Sequence, residues 1–143
     1  ALPYARQVVE LLEHGEDPDY ALPIAYNNLG ATQYQLGDYA GASDSYRKSL
    51  DMLEATQGIS SRRLVVPLAG LGAVFAAQEQ YPAAAELYER ALAVSRRADG
   101  LFNLQQLPLI KLAADTKYAI SDYGGAEQEY MYALKIAEQN YGY

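Results

Sequence analysis

The chain of 143 residues has one ordinary domain's length; half of its residues are hydrophobic and a fifth charged, which excludes a disordered or fibrous protein. Eleven basic against eighteen acidic residues leave a net charge of -7, which argues against nucleic acid, because that binding relies on Lys and Arg neutralising phosphates. Without cysteine and with one histidine, His14, thiol catalysis, disulfides and the common zinc sites are excluded.

Residues 1–15 read as a helix marked by Tyr4, Val8 and Leu11. Asp17 and Pro18 supply the N-cap and first position of the next helix. From there the chain repeats. Tyr39, Tyr81 and Tyr123 are spaced by 42, as are Ala42, Ala84 and Ala126; Tyr46, Tyr88 and Tyr130; Leu50, Leu92 and Leu134; and Gly58, Gly100 and Gly142. Counting back from Tyr46, Leu50 and Leu53 reaches Tyr4, Val8 and Leu11, so the first helix is the second half of an earlier period. The divisions expected are 1–15, 16–58, 59–100 and 101–143.

Each period predicts two helices. In the middle one, Leu68, Leu71, Gly72 and Phe75 mark the first, with Ser60 or Ser61 as its cap. Gln78 to Tyr81 is a connection short enough to force an antiparallel pair. Ala84, Leu87, Tyr88, Ala91, Leu92 and Ser95 then form one stripe, Pro82 suits the first turn, and Arg96 and Arg97 suit the negative end before Gly100. Pro23, Pro67 and Pro108 fall early in the first helix of each pair and predict a loose or kinked lead-in. No alternating run with hairpin turns predicts a strand.

This pattern resembles the tetratricopeptide repeat family, in its long variant similar to kinesin light chain-type and bacterial proteins. The first repeat carries Tyr26, Leu29, Gly30, Ala42 and Tyr46; the second carries Leu68, Leu71, Gly72, Phe75, Ala84 and Tyr88. The third departs, with Ile110, Ala113, Ala114 and Lys117 in its first helix, but keeps Ala126 and Tyr130. The resemblance implies an all-α, right-handed superhelical solenoid of antiparallel helix pairs, whose first helices line a concave side. It implies a protein-protein interaction scaffold, not an enzyme, that binds a peptide or protein segment in this groove.

The residues expected to line the groove follow by phase: Asn27, Ala31 and Tyr34; then Ala69, Ala73 and Ala76; then Lys111, Asp115 and Tyr118. A subtype of the family grips carboxylate tails with Lys, Asn and Arg. The matching phases here are Asn27, Ala31, Gly70, Pro108 and Leu112, which make no such clamp. Arg62 and Arg63 open one helix while Arg96 and Arg97 close its partner, so all four belong to one rim, which receives an acidic partner or else is solvated.

Fourteen of the sixteen aromatics are tyrosines. Tyr46, Tyr88 and Tyr130 read as repeat core, and Tyr132, Tyr141 and Tyr143 as a C-terminal cluster for a following repeat to cover. Both ends thus suggest a piece of a longer protein, or homo-oligomers joined end to end. A self-assembly module and a ligand-sensing regulatory domain are the alternatives to the peptide scaffold. No cofactor or metal is expected. The longest uncharged apolar run, Leu64 to Ala77, has 14 residues and contains Pro67, where a membrane helix needs roughly 20, so no direct membrane insertion is expected. No targeting segment is recognised, and cytoplasmic and exported locations both stay open.

Overall fold

The computed structural model describes residues 1–15 and 18–142. Among these are the helices α1 (Leu2–Glu13), α2 (Pro18–Gln35), α3 (Tyr39–Gln57), α4 (Val65–Ala77), α5 (Tyr81–Asp99), α6 (Leu107–Ala119) and α7 (Tyr123–Tyr141), and no strand. Each helix packs on the next, with the closest pairs being α2 with α3, α4 with α5 and α6 with α7. In addition α2 lies against α4. The architecture is a solenoid of stacked helical hairpins.

The turn inside each hairpin is the same device three times. Gly37, Glu79 and Ser121, one period apart, all take positive φ (77°, 59° and 64°). The following residue enters the second helix. Asp38 accepts a hydrogen bond from the Gly41 amide and Asp122 from the Gly125 amide, each at 2.9 Å. A Cβ at either glycine would meet the capping carboxylate, so a larger residue there would displace the cap. The middle hairpin has Gln80 and Ala83 at these phases and no side-chain cap. Between hairpins, Gly58 and Gly100 take φ of 81° and 88°, the region open to glycine at least cost.

The prolines behave in two ways. Before α4 and α6 the lead-in is a 3-10 turn, Arg62–Leu64 and Leu104–Gln106, and Pro67 and Pro108 then sit in the first turn of the α-helix. Ser61 caps the first of these turns at the Arg63 amide (3.3 Å), and Asn103, its counterpart one period on, caps the second at the Gln105 amide (2.8 Å). Pro23 instead lies inside α2, and the Ser49 hydroxyl of α3 donates to its carbonyl at 2.9 Å. Asp17 lies outside the described residues, so its capping role is not seen; α2 begins at Pro18.

The core repeats with the sequence. Ala42, Leu53, Leu64, Leu68, Val74, Ala84, Tyr88, Ala91, Leu92, Ile110 and Ala113 are buried in one cluster, and each fully buried large aliphatic contributes about 1.5–3 kcal/mol. A second cluster, Val9, Leu22, Ala25, Tyr26 and Leu29, joins α1 to α2. Two expectations about tyrosines need correction. Tyr130 is 49% exposed, while Tyr46 and Tyr88 are 7% and 1% exposed, because no helix follows α7 among the described residues to cover it. Tyr132 is not part of an open C-terminal cluster: it turns inward, stacking on Phe102 at 6.1 Å and lying under the Arg96 guanidinium at 4.2 Å, with its hydroxyl donating to the Leu101 carbonyl. Tyr141 is exposed, and Tyr143 lies outside the described residues.

Candidate partner-binding groove

The first helix of each hairpin, α2, α4 and α6, carries the nine residues expected in a groove. None of the nine is buried: Lys111, Asp115 and Tyr118 are exposed, and Asn27, Ala31, Tyr34, Ala69, Ala73 and Ala76 are half-buried. The small side chains are small for a reason. Tyr46 of α3 is held flat between Gly30 of α2 and Gly70 of α4, and Tyr88 of α5 lies on Gly72 of α4; a Cβ at Gly72 would approach the Tyr88 ring to 2.6 Å. Close helix approach and ring burial are therefore one arrangement.

The stripe changes character along the stack. On α4 it has no charge at all, since Val65–Ala77 contains no Asp, Glu, Lys or Arg. On α6 the Lys111 ammonium pairs with Asp115 at 2.5 Å, and the Tyr130 hydroxyl donates to the other Asp115 oxygen at 2.9 Å. These bonds hold the Asp115 carboxyl below its usual range, Lys111 first, and raise Lys111 in turn. At the far end of the stripe Tyr118 meets Tyr123 edge-on at 5.0 Å and Tyr34 meets Tyr39 at 5.7 Å. The middle hairpin has Ala76 and Tyr81 at those phases, so it lacks the aromatic pair.

Three phenols gather beneath this face. Burial raises Tyr46 and pushes Tyr88 up to about 12, and the nearby Tyr34 phenol adds to both. The Tyr88 hydroxyl is buried with no hydrogen-bond partner among the described residues. By phase its counterpart, the Tyr130 hydroxyl, bonds to Asp115, whose own counterpart beside Tyr88 is Ala73. On α2, the Asn27 Oδ1 is likewise buried and without a partner among the described residues.

Between α4 and α6 opens a cavity of about 340 Å³. Its lining includes Gly70, Pro108 and Leu112, the phases at which a carboxylate clamp would hold its cations, and Tyr46, read from sequence only as core. The signal that could have found it is the period itself, since Gly70 of α4 becomes Leu112 on α6.

The four arginines all have partners inside the chain. Arg62 pairs with Asp99 at 3.1 Å, and Arg97 donates to the Ser60 hydroxyl at 2.8 Å, both contacts joining the start and the end of the second hairpin. Arg63 reaches back to α2, donating to the Tyr20 carbonyl at 2.6 Å over the Tyr20 ring. Arg96 turns toward α7 and pairs with Glu129 at 3.4 Å. Arg63 and Arg96 thus fasten the second hairpin to the first and the third, while Arg62 and Arg97 tie the two ends of the second hairpin together. His14 is the exposed C-cap of α1. Among the described residues no helix is long and apolar enough to cross a membrane.

Residues 24–60 and 68–98 match the tetratricopeptide repeat family. BtubC (BKLC) from P. vanneervenii superposes with a TM-score of 0.89 over 99% of this chain and 57% of its own, at 19% identity. The chain thus spans 57% of the length of that protein. The TPR domain of Arabidopsis FLU superposes with a TM-score of 0.72 over 85% of this chain and 99% of its own, again at 19% identity. No curated protein sequence matches the chain. At this identity the likeness speaks for the fold, that of a family of typically non-catalytic protein-protein interaction scaffolds. Residues 24–60 and 68–98 are thus tetratricopeptide repeats by their family match, and the superposed stack gives the chain as a whole the fold of that family.

Proposed function

We propose that the chain is a non-catalytic binding module that holds an extended protein or peptide segment along the face formed by α2, α4 and α6, taken as the concave side of the solenoid. The observation that carries this reading is α4, an inner helix without a charged side chain whose Ala69, Ala73 and Ala76 stay half-open to solvent. An apolar floor between a half-buried amide, Asn27, and an exposed ion pair, Lys111 with Asp115, suits a segment with small apolar residues at its centre and polar groups at its ends. Nucleic acid is excluded from the proposal by the net charge of -7.

The test is a selection of displayed peptides on the purified chain, followed by affinity measurements on Ala73→Arg and Lys111→Glu. The expected result is a loss of about tenfold or more for Ala73→Arg, which places an uncompensated charge on the floor, and a change for Lys111→Glu that depends on peptide charge. Unchanged affinity in both variants removes the face from consideration.

A second reading has its own observation. Tyr4 and Leu11 on α1, and Tyr130 and Leu134 on α7, are large, exposed and at the two ends of the stack. Association of copies end to end would cover them, and mass by sedimentation would then rise with concentration. A constant monomer mass excludes it.

A further inference from the structure

The cavity between α4 and α6 touches the expected stripe only at Ala69. Its origin is a break in the repeat. At the joint of α2 and α4, Tyr46 is received by Gly30 on one side and Gly70 on the other. One period on, Tyr88 is received by Gly72, but the place of Gly70 is taken by Leu112. A branched side chain cannot admit a ring as a glycine does, so α6 stands off from α4 and the space stays open. Val66 and Ala69 of α4 face Pro108, Leu109 and Leu112 of α6 across it, and Val66 and Leu112 are exposed at its mouth.

Two polar groups in this wall have unused hydrogen-bonding capacity. Tyr46 is 7% exposed, and its hydroxyl has no hydrogen-bond partner among the described residues. Gln106 is 1% exposed; its Nε2 donates to the Gly100 carbonyl at 2.8 Å, and its Oε1 has no partner among the described residues. None of the residues lining the cavity is charged. A carboxylate or ammonium entering it would lose its hydration without meeting a counter-ion, whereas aliphatic carbon gains by leaving water.

We infer that this cavity is an anchor site for one neutral aliphatic side chain of a bound polypeptide, with the Tyr46 hydroxyl as a hydrogen-bonding group for the backbone that carries it. A volume of about 340 Å³ lies near the lower end of the roughly 300–1,000 Å³ of small-ligand sites, which suits one side chain with its flanking amides. The inference deepens the proposed function and rests on it only in taking the ligand to be a polypeptide. The anchor also fills the gap that Leu112 leaves, so its binding tightens the joint between the second and third hairpins.

The probe is N-acetyl-leucinamide, titrated into the isotope-labelled full chain and followed by NMR. Saturable shifts centred on Tyr46, Gly70 and Leu112 are expected. Binding of N-acetyl-aspartamide, which carries a charge, should be weaker by about tenfold or more. Tyr46→Phe keeps the ring between the two glycines and should weaken the leucinamide by about fivefold, the scale of one neutral hydrogen bond. Ala69→Phe fills the space and should abolish binding while thermal unfolding stays cooperative. Three results overturn the inference: no saturable shift at these residues, equal affinity for the charged probe, or undiminished binding by a folded Ala69→Phe chain. A selected peptide that binds the inner face yet leaves Tyr46, Gly70 and Leu112 unshifted overturns it as well, while the proposed function stands. Probe capture at the cavity without any selected peptide supports the anchor site and counts against the longer groove.

Discussion

Lys117 and Glu129 face each other inside the third hairpin, with Nζ 2.9 Å from Oε1 and both side chains largely buried. One period earlier the same two places hold Phe75 and Leu87, and one earlier again Gln33 and Ser45, which share a hydrogen bond of 2.6 Å. The joint between the two helices of a hairpin is thus closed three times by three chemistries. Each pair is matched within its own hairpin, and the ion pair is joined further by Glu89 and Arg96 of the second hairpin. A buried Lys117 opposite Leu87, or Phe75 opposite Glu129, would leave a charge without its counter-charge. Together these joints oppose mispairing of hairpins that otherwise share a period.

The pair gives the first prediction. Lys117→Ala or Glu129→Ala strands a partly buried charge and should cost about 2–4 kcal/mol in urea unfolding; Lys117 keeps Glu89 and Glu129 keeps Arg96, so the loss falls short of a fully isolated ion. The double variant Lys117→Phe with Glu129→Leu installs the middle hairpin's pair. It should recover to within about 1 kcal/mol of the parent. A double variant as weak as the singles would remove the ion pair from this role.

Glycines divide by what surrounds them. Gly72→Ala gains helix propensity of about 1 kcal/mol, yet its Cβ meets the Tyr88 ring at 2.6 Å, so a net loss of about 1–3 kcal/mol is expected. Gly124→Ala, near the start of α7, meets nothing within 4 Å and should stabilise by about 0.5–1 kcal/mol. Thermal unfolding of both variants measures the contrast. A stabilised Gly72→Ala chain would mean that Tyr88 is not held against that helix.

The hairpin turns predict the opposite substitution. Glu79 and Ser121 adopt the conformation that Gly37 adopts in the first hairpin, and both pay steric strain for it. Glu79→Gly and Ser121→Gly should each stabilise by about 0.5–1 kcal/mol after the extra chain entropy of glycine is subtracted. Destabilisation by either would show that its side chain matters more than its backbone.

Stability should fall in alkali before it falls elsewhere. Tyr88 is pushed up to about 12 by burial and the nearby Tyr34, and Tyr26 to about 12 by burial and its hydrogen bond to Glu13. Burial works to lower Lys117, but Glu129 and Glu89 outweigh it and the net shift is upward. A folded-state pKa above the unfolded one favours the protonated form on folding. The stabilisation is therefore whole below the unfolded values near 10 and lost as pH rises toward 12. Phenolate absorbance should reveal late-ionising tyrosines that titrate together with unfolding. Tyr88→Phe should remove part of this dependence and leave neutral stability unchanged or slightly raised, since its hydroxyl has no partner to lose among the described residues. Ordinary titration of all the tyrosines in the folded chain would contradict this account.

The repeat was legible from five residue types at one offset, and it placed all three complete hairpins, because a period of 42 forces the same burial on the same phases. The nine stripe residues follow from the same phases; none of them is buried, and their role belongs to the proposed function. Asn103 as a cap was legible in principle from Ser61 but differs in residue type. The strain at Glu79 and Ser121 was not, because neither is a residue that announces a left-handed turn.

What the sequence by itself determined is the set of helices, their pairing and their inward faces, since periodicity, capping residues and short connections are local properties of the chain. Only the tertiary structure decided where Arg63 and Arg96 go, why Tyr130 stands open while Tyr46 and Tyr88 do not, and that a cavity lies between α4 and α6. The first two outcomes depend on which helix stands beside each residue, and the third on the distance between hairpins. That distance is set by what meets across a joint, Gly70 in one case and Leu112 in the next, and no residue specifies it alone.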